Sequence, residues 1–258
     1  MKRDVVRQIV VVLVVIATII VNVLANALPI NNLNTGQISD QFEVYFVPAG
    51  YVFSIWGLIY IGLIAFAIYQ ALPAQRTNPR LRSASGPFIV SSLANIAWIF
   101  LWHYQQFGLS VLVMFILLGS LILTYLRLGI GRGDPNFKMR WFAHLPFQIY
   151  LGWITVATIA NITAFLDFIN WNGWGIAPEI WTVVMLAAAV LITFLVVVTR
   201  RDIPYTLVIV WAFIGIALKH AGAPTVPTAA WIATATVALV AAAGAFKVLP
   251  TLRSPSQA

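Results

Sequence analysis

The chain contains no cysteine, which excludes disulfides, thiolate metal sites, iron–sulfur clusters and thiol nucleophiles. Charge is almost as scarce. Only 9% of the 258 residues are Asp, Glu, Lys or Arg, against roughly 25% in soluble domains. Seven residues are acidic and three are histidines. His103, His144 and His220 stand apart from one another at the ends of apolar runs, with no carboxylate among them. Metal hydrolases need His and carboxylate clusters, and acid–base catalysis needs placed titratable groups. No catalytic residue and no metal ligand is therefore assigned. No Asp, Glu, Lys or Arg falls near the middle of an apolar run, where ion-coupled transporters place theirs. Proton or sodium coupling has no residue to act through.

What remains is hydrocarbon. Hydrophobic residues make up 61% of the chain and mean hydropathy is +0.93, so the lipid bilayer is the first partner. Eight apolar runs read as helical spans, at about 5–27, 51–72, 87–104, 109–128, 142–166, 181–199, 205–218 and 229–249. The fold class expected is an all-α, polytopic transmembrane bundle. Pro146 near the start of the fifth run predicts a kink whose freed carbonyl a neighbour satisfies. The first run follows Lys2, Arg3 and Arg7 and ends in Ala25-Asn26-Ala27, a pattern shared with signal peptides. Its apolar stretch exceeds an h-region of about 7–15 residues, and Thr18, Asn22 and Asn26 form an i, i+4 stripe suited to packing on other helices.

The charges alternate with the runs. Of fifteen Lys and Arg, only Lys219 falls on the side that carries Asp40, Glu43, Asp167 and Glu179. The positive-inside rule then places both termini in the cytoplasm. A pI of about 10.1 is accordingly topological, with some affinity for anionic headgroups, and nucleic acid is not an expected partner. With no transit peptide evident, the expected location is a prokaryotic plasma membrane.

Three stretches could carry chemistry. At Pro48–Tyr60 an outer linker plunges into the second run. Read as a helix, Phe53, Trp56 and Tyr60 share a face, because spacings of three and four return to one side. On the third run Ser91, Asn95, Trp98 and Trp102 share a face. An amide in hydrocarbon needs a partner, so Asn95 points inward and brings the two Trp with it. The fifth run repeats this with Tyr150, Trp153, Ala157 and Asn161, among the small residues Gly152, Thr158 and Ala160. One reading is interhelical glue, Asn hydrogen bonds with packed aromatics. The other is an aromatic cavity in the outer half of the bundle, mostly apolar with a few placed polar groups. The linker at 28–50 would be its lid. His103 beside Trp102 reads as a satisfied interfacial histidine, with ligation of a porphyrin iron as the alternative.

These residues resemble the TspO/MBR family, the tryptophan-rich sensory proteins that include the mitochondrial translocator protein. Its entrance motif, similar to P-P-G-W-V-F-G-P-V-W-G-x-L-Y, is matched by Pro48, Gly50, Val52, Phe53, Trp56, Gly57 and Tyr60. Tyr51 stands where the family prefers Trp, and the segment is one residue shorter before Trp56. The family's N-x-A-W appears as Asn95, Ala97 and Trp98. Its Y-L-x-W and A/T-T-x-x-N appear as Tyr150, Leu151, Trp153, Ala157, Thr158 and Asn161. The resemblance spans about 8–168. It implies a five-helix bundle at 1–168, extended at 169–258 by three further helices and a short tail.

It also implies a homodimer, a lid-covered pocket and a flat hydrophobic ligand. The ligand would be a porphyrin or haem-like tetrapyrrole, and no cofactor is required. The ligand-binding residues expected are Pro48, Gly50, Tyr51, Phe53, Trp56, Tyr60, Asn95, Trp98, Trp102, Tyr150, Trp153, Ala157 and Asn161. Sensing or translocation of that ligand is the expected function. The alternative is a facilitator of another small apolar solute, with the Trp and Asn faces serving mainly as packing.

Overall fold

The computed structural model describes residues 2–28 and 30–246. Among the described residues every apolar run is helical and no strand occurs. The long helices are α1 (Lys2–Ala27), α2 (Ile55–Ala71), α3 (Pro79–His103), α4 (Phe107–Leu128), α5 (Leu145–Phe168), α6 (Pro178–Arg200), α7 (Ile203–Lys219) and α8 (Val226–Ala245). The fold is an all-α polytopic bundle. Among the described residues, seven helical segments are long and apolar enough to cross a membrane. The remaining helix, α7, has 17 residues, about 25 Å of helix against ~30 Å of hydrocarbon. The end of the expected eighth span, to Leu249, and the tail from Pro250 lie outside the described residues.

Two boundaries differ from expectation for local reasons. α3 begins at Pro79 rather than near 87, because Asn78 caps it and proline suits the first helical position. The Asn78 side chain accepts from the Arg80 and Leu81 amides. Arg80 and Arg82 thus ride on helix rather than loop, and the Arg82 guanidinium makes two 2.7 Å bonds to Asp4 on α1. On the fifth span the expected kink is a π-turn, Arg140–His144, placed just before Pro146. A wider turn of this kind absorbs an interruption of the ladder without ending the helix.

The first five helices close a ring. α1 touches α2 and α3, α3 packs on α4, α4 on α5, and α5 returns to α2. α1 turns Gln8, Val11, Val15, Thr18 and Asn22 inward and Ile9, Leu13, Ile16 and Ile20 outward, a spacing that gives one buried stripe. Asn26, expected on the packed stripe, is exposed and bonds only the Asn22 carbonyl. Gln8 and Gln70 exchange side-chain to backbone bonds of 2.6 and 3.1 Å between α1 and α2.

The last three helices join the ring mainly through α7, which packs on α5, and α8 in turn packs on α7 and α6. Gly152 permits this approach: a Cβ there would meet the Tyr205 carbonyl oxygen and the Val208 Cβ at 3.0 Å. At the same end, the buried Asp202 caps α7. Its carboxylate accepts from the Tyr205 amide at 2.9 Å, the Gln148 amide at 2.9 Å and the Tyr125 hydroxyl at 2.6 Å. One carboxylate therefore ties α4, α5 and α7 together.

Candidate functional site

At the opposite end from Asp202, the segment between α1 and α2 folds over the ring as a lid. Its single helical turn, Thr35–Ser39, starts with a reciprocal capping box between Asn34 and Gln37. A 3₁₀ turn, Gly50–Ser54, then leads into α2. Phe53 therefore precedes the α-helix rather than lying on it, yet its ring still meets Trp153 edge-on at 5.6 Å.

The lid is pinned from two sides. On the ring side, the fully buried His103 stands between the Ile30 carbonyl and the Thr35 hydroxyl, each 3.1 Å from a ring nitrogen. Nδ1 donating to the carbonyl and Nε2 accepting from the hydroxyl is the tautomer that satisfies both. Neither nitrogen is left for an iron. Asn31 donates to the His103 carbonyl, Trp102 donates to the Thr35 carbonyl, and Phe42 packs on Trp102 and Phe107. On the other side α7 holds the lid. The Ala49 amide donates to the Gly215 carbonyl at 3.1 Å, Trp211 donates to the Val52 carbonyl at 3.1 Å, and Lys219 pairs with Asp40. The Tyr45 hydroxyl adds a bond to Glu179 at the start of α6. Nothing in the sequence pattern pointed to these contacts, which join residues more than 130 positions apart.

Beneath the lid lies a cavity of about 40 Å³, room for about three water molecules. Of the expected site residues, Pro48, Phe53, Trp56, Trp98, Trp102, Trp153, Ala157 and Asn161 line it. Thr35 and Ser39 from the lid, Met114 from α4, and Ile154, Val156 and Ala160 from α5 complete the wall. Trp98 and Trp102 stack at 5.5 Å and 20°, while Trp56 meets Trp153 edge-on at 6.2 Å. Thr35 and Ser39 lay within the expected lid, but a loop has no helical spacing from which to choose its inward residues. Met114 lies one turn beyond the buried Ser110 on α4, so a polar residue marked its face and could have pointed to it.

Five expected residues stand elsewhere. Gly50 lies open, so that a Cβ there would meet nothing within 4 Å. Tyr51 turns outward against Trp211 at 5.2 Å and is 45% exposed. Tyr60 stacks on the far side of Trp56. Asn95 is spent in part on packing, its Oδ1 accepting from Asn22 of α1 at 2.7 Å. Tyr150 backs Trp56 from behind the wall. The Tyr150 hydroxyl and Asn95 Nδ2 are neighbours, yet neither meets hydrogen-bond geometry with any partner.

Asn161 lines the cavity and also bridges helices. Its Oδ1 accepts from Trp98 Nε1 at 3.0 Å and its Nδ2 donates to Ser110 at 2.9 Å. Three helices meet at that amide. The wall contains no titratable side chain, and among the described residues no His and carboxylate group could hold a metal. Among the described wall residues, Trp153 Nε1 is fully buried without a partner, although buried donors are almost always paired. The site can therefore take up an apolar, aromatic guest and offer it one indole N–H.

A sequence model of the family described as TSPO-like protein matches residues 8–243. The match runs through α6, α7 and most of α8, beyond the reach of the three motifs. No curated protein and no solved structure matches the chain.

Proposed function

Because the chain belongs to the TSPO-like family, we propose that this integral multi-pass membrane protein binds a flat hydrophobic ligand, porphyrin-like in shape, beneath its lid. The observation that carries the reading is the unpaired Trp153 Nε1 in a cavity walled by stacked and edge-on aromatic rings. A ring-shaped ligand with an acceptor atom answers both features. The charge alternation supports a lid on the extracytoplasmic side and termini in the cytoplasm.

The cavity of about 40 Å³ is far below the ~300–1,000 Å³ of sites for drug-sized ligands. Binding of such a ligand therefore requires the lid to lift from Trp102 and His103. Such gating suits either a sensor that reports occupancy through the lid or a carrier that releases its ligand when the lid opens. A small apolar solute is the second reading, and the closed cavity's size favours it.

Titration of the detergent-purified protein with protoporphyrin IX, followed by Trp fluorescence, separates the readings. Saturable micromolar quenching is expected in the wild type. It should be lost in Ala157→Phe, whose ring takes up the cavity. Linear quenching that is unchanged by Ala157→Phe would mean partitioning into the micelle and would overturn the tetrapyrrole reading.

A further inference from the structure

A second cavity, about 240 Å³ in volume, lies outside the lid, between residues 43–46, the end of α5, the α5–α6 loop and the start of α6. Three tryptophans gather at it. Trp171 lies 5.2 Å from Trp181 and 5.4 Å from Trp174, and Trp174 lies 5.8 Å from Trp181. The rings are inclined to one another by 54–79°. They form a box rather than a stack. Trp171, Trp181 and Tyr45 line the cavity itself, and Trp174 braces the other two from outside. Tryptophans at a membrane edge usually form an interfacial belt, with each ring lying singly at headgroup level. Here they pack on one another, and two of them border a void.

The charges at this void have one sign. Glu43 and Asp167 are on its wall, and no Lys or Arg is. Among the described residues neither carboxylate has an ion-pair partner. Lys219, the one basic residue expected on this side, is occupied by Asp40. His220, which meets the Tyr45 ring at 5.2 Å, is held below its usual range by burial, so it is neutral at pH 7.

We propose that this cavity is a binding site for a small quaternary ammonium or alkylamine cation, seated on the faces of Trp171 and Trp181 with Glu43 and Asp167 supplying the countercharge. Aromatic rings attract cations through their negative faces, most strongly when the cation sheds water, and indole is the best such ring. A cavity of about 240 Å³ falls just below the range for drug-sized ligands, which selects a compact cation. The two carboxylates also select a free cation over a phosphocholine headgroup, whose phosphate they would repel. The proposal does not rest on the reading of the pocket beneath the lid, although lid residues 43–46 line this cavity too.

The test labels the protein with 5-fluorotryptophan and follows ¹⁹F spectra during titration with choline in a maltoside detergent. Trp171→Phe and Trp181→Phe variants assign the signals. Saturable shifts of the Trp171 and Trp181 signals are expected, with the Trp153 signal still. The neutral isostere 3,3-dimethylbutan-1-ol should bind about ten-fold more weakly, the scale of a partly desolvated cation–π contact. Phosphocholine should also bind more weakly than choline. Glu43→Gln with Asp167→Asn should lower choline affinity several-fold and leave the isostere unaffected. Equal binding of choline and its neutral isostere, tighter binding of phosphocholine, or no saturable shift would overturn the proposal.

Discussion

Asn161 joins three helices through one amide, because Trp98 of α3 and Ser110 of α4 both spend their polar groups on it. Asn161→Leu should leave the Trp98 N–H buried and unpaired. A loss of about 1–2 kcal/mol is expected, read as a lower Tm in detergent. Asn95→Leu breaks only the bond to Asn22, so about 0.6 kcal/mol is expected. If ligand affinity falls while Tm holds in either variant, that amide serves the ligand rather than the packing. Spacing alone turned both amides and Trp98 inward. It could not say how each amide divides its bonds, because partners depend on how neighbouring helices rotate. Asp202 is a second case. Its sequence context, Asp-Ile-Pro, reads only as a helix start, yet it is buried with three donors around its carboxylate. Burial pushes its carboxyl up to about 6, against an ordinary value of about 3.9. The folded state therefore binds this proton more tightly than the unfolded chain does. The group's stabilising contribution is full below about pH 4 and is lost as pH rises through about 6, a change on the order of 3 kcal/mol. Thermal unfolding of wild type and Asp202→Asn from pH 4 to 8 should show the wild type losing stability relative to the variant as pH rises. A difference that stays flat with pH would contradict this.

At the scale of elements, α7 is where the lid and the ring meet. Its Gly215 lies so close to the segment before α2 that a Cβ would overlap the Val52 side chain and press on Pro48. Valine is branched at Cβ and cannot swing aside cheaply. Gly215→Ala should therefore lift the turn at Pro48–Val52, lower Tm and speed hydrogen exchange at the Ala49 amide, which bonds the Gly215 carbonyl. Gly57→Ala is the matched control. A Cβ there meets nothing within 4 Å, and the helix should gain up to about 1 kcal/mol. Equal behaviour of the two variants would remove the role given to α7. The helices themselves were legible as apolar runs, because hydrophobic length is local information. The short α7 was placed as well as the long ones. Its partner on the lid was not legible, since that contact depends on a glycine and a turn 160 residues apart that carry no shared pattern.

For the whole molecule, a ring of five helices encloses the aromatic cavity, α6 and α7 brace its lid, and α8 packs on those two. Lid residues are fastened to α3 by His103, Trp102 and Asn31, and to α6 and α7 by Glu179, Trp211, Gly215 and Lys219. Lifting the lid from α3 would break the first set. The smallness of the closed cavity makes that opening the central requirement of the proposed function. Hydrogen exchange measured with and without protoporphyrin IX tests it most directly. Ligand should change exchange across residues 35–54 in the wild type. No change is expected in α8, and none anywhere in Ala157→Phe. Saturable binding that leaves exchange at 35–54 untouched would place the ligand outside the lid and contradict the account.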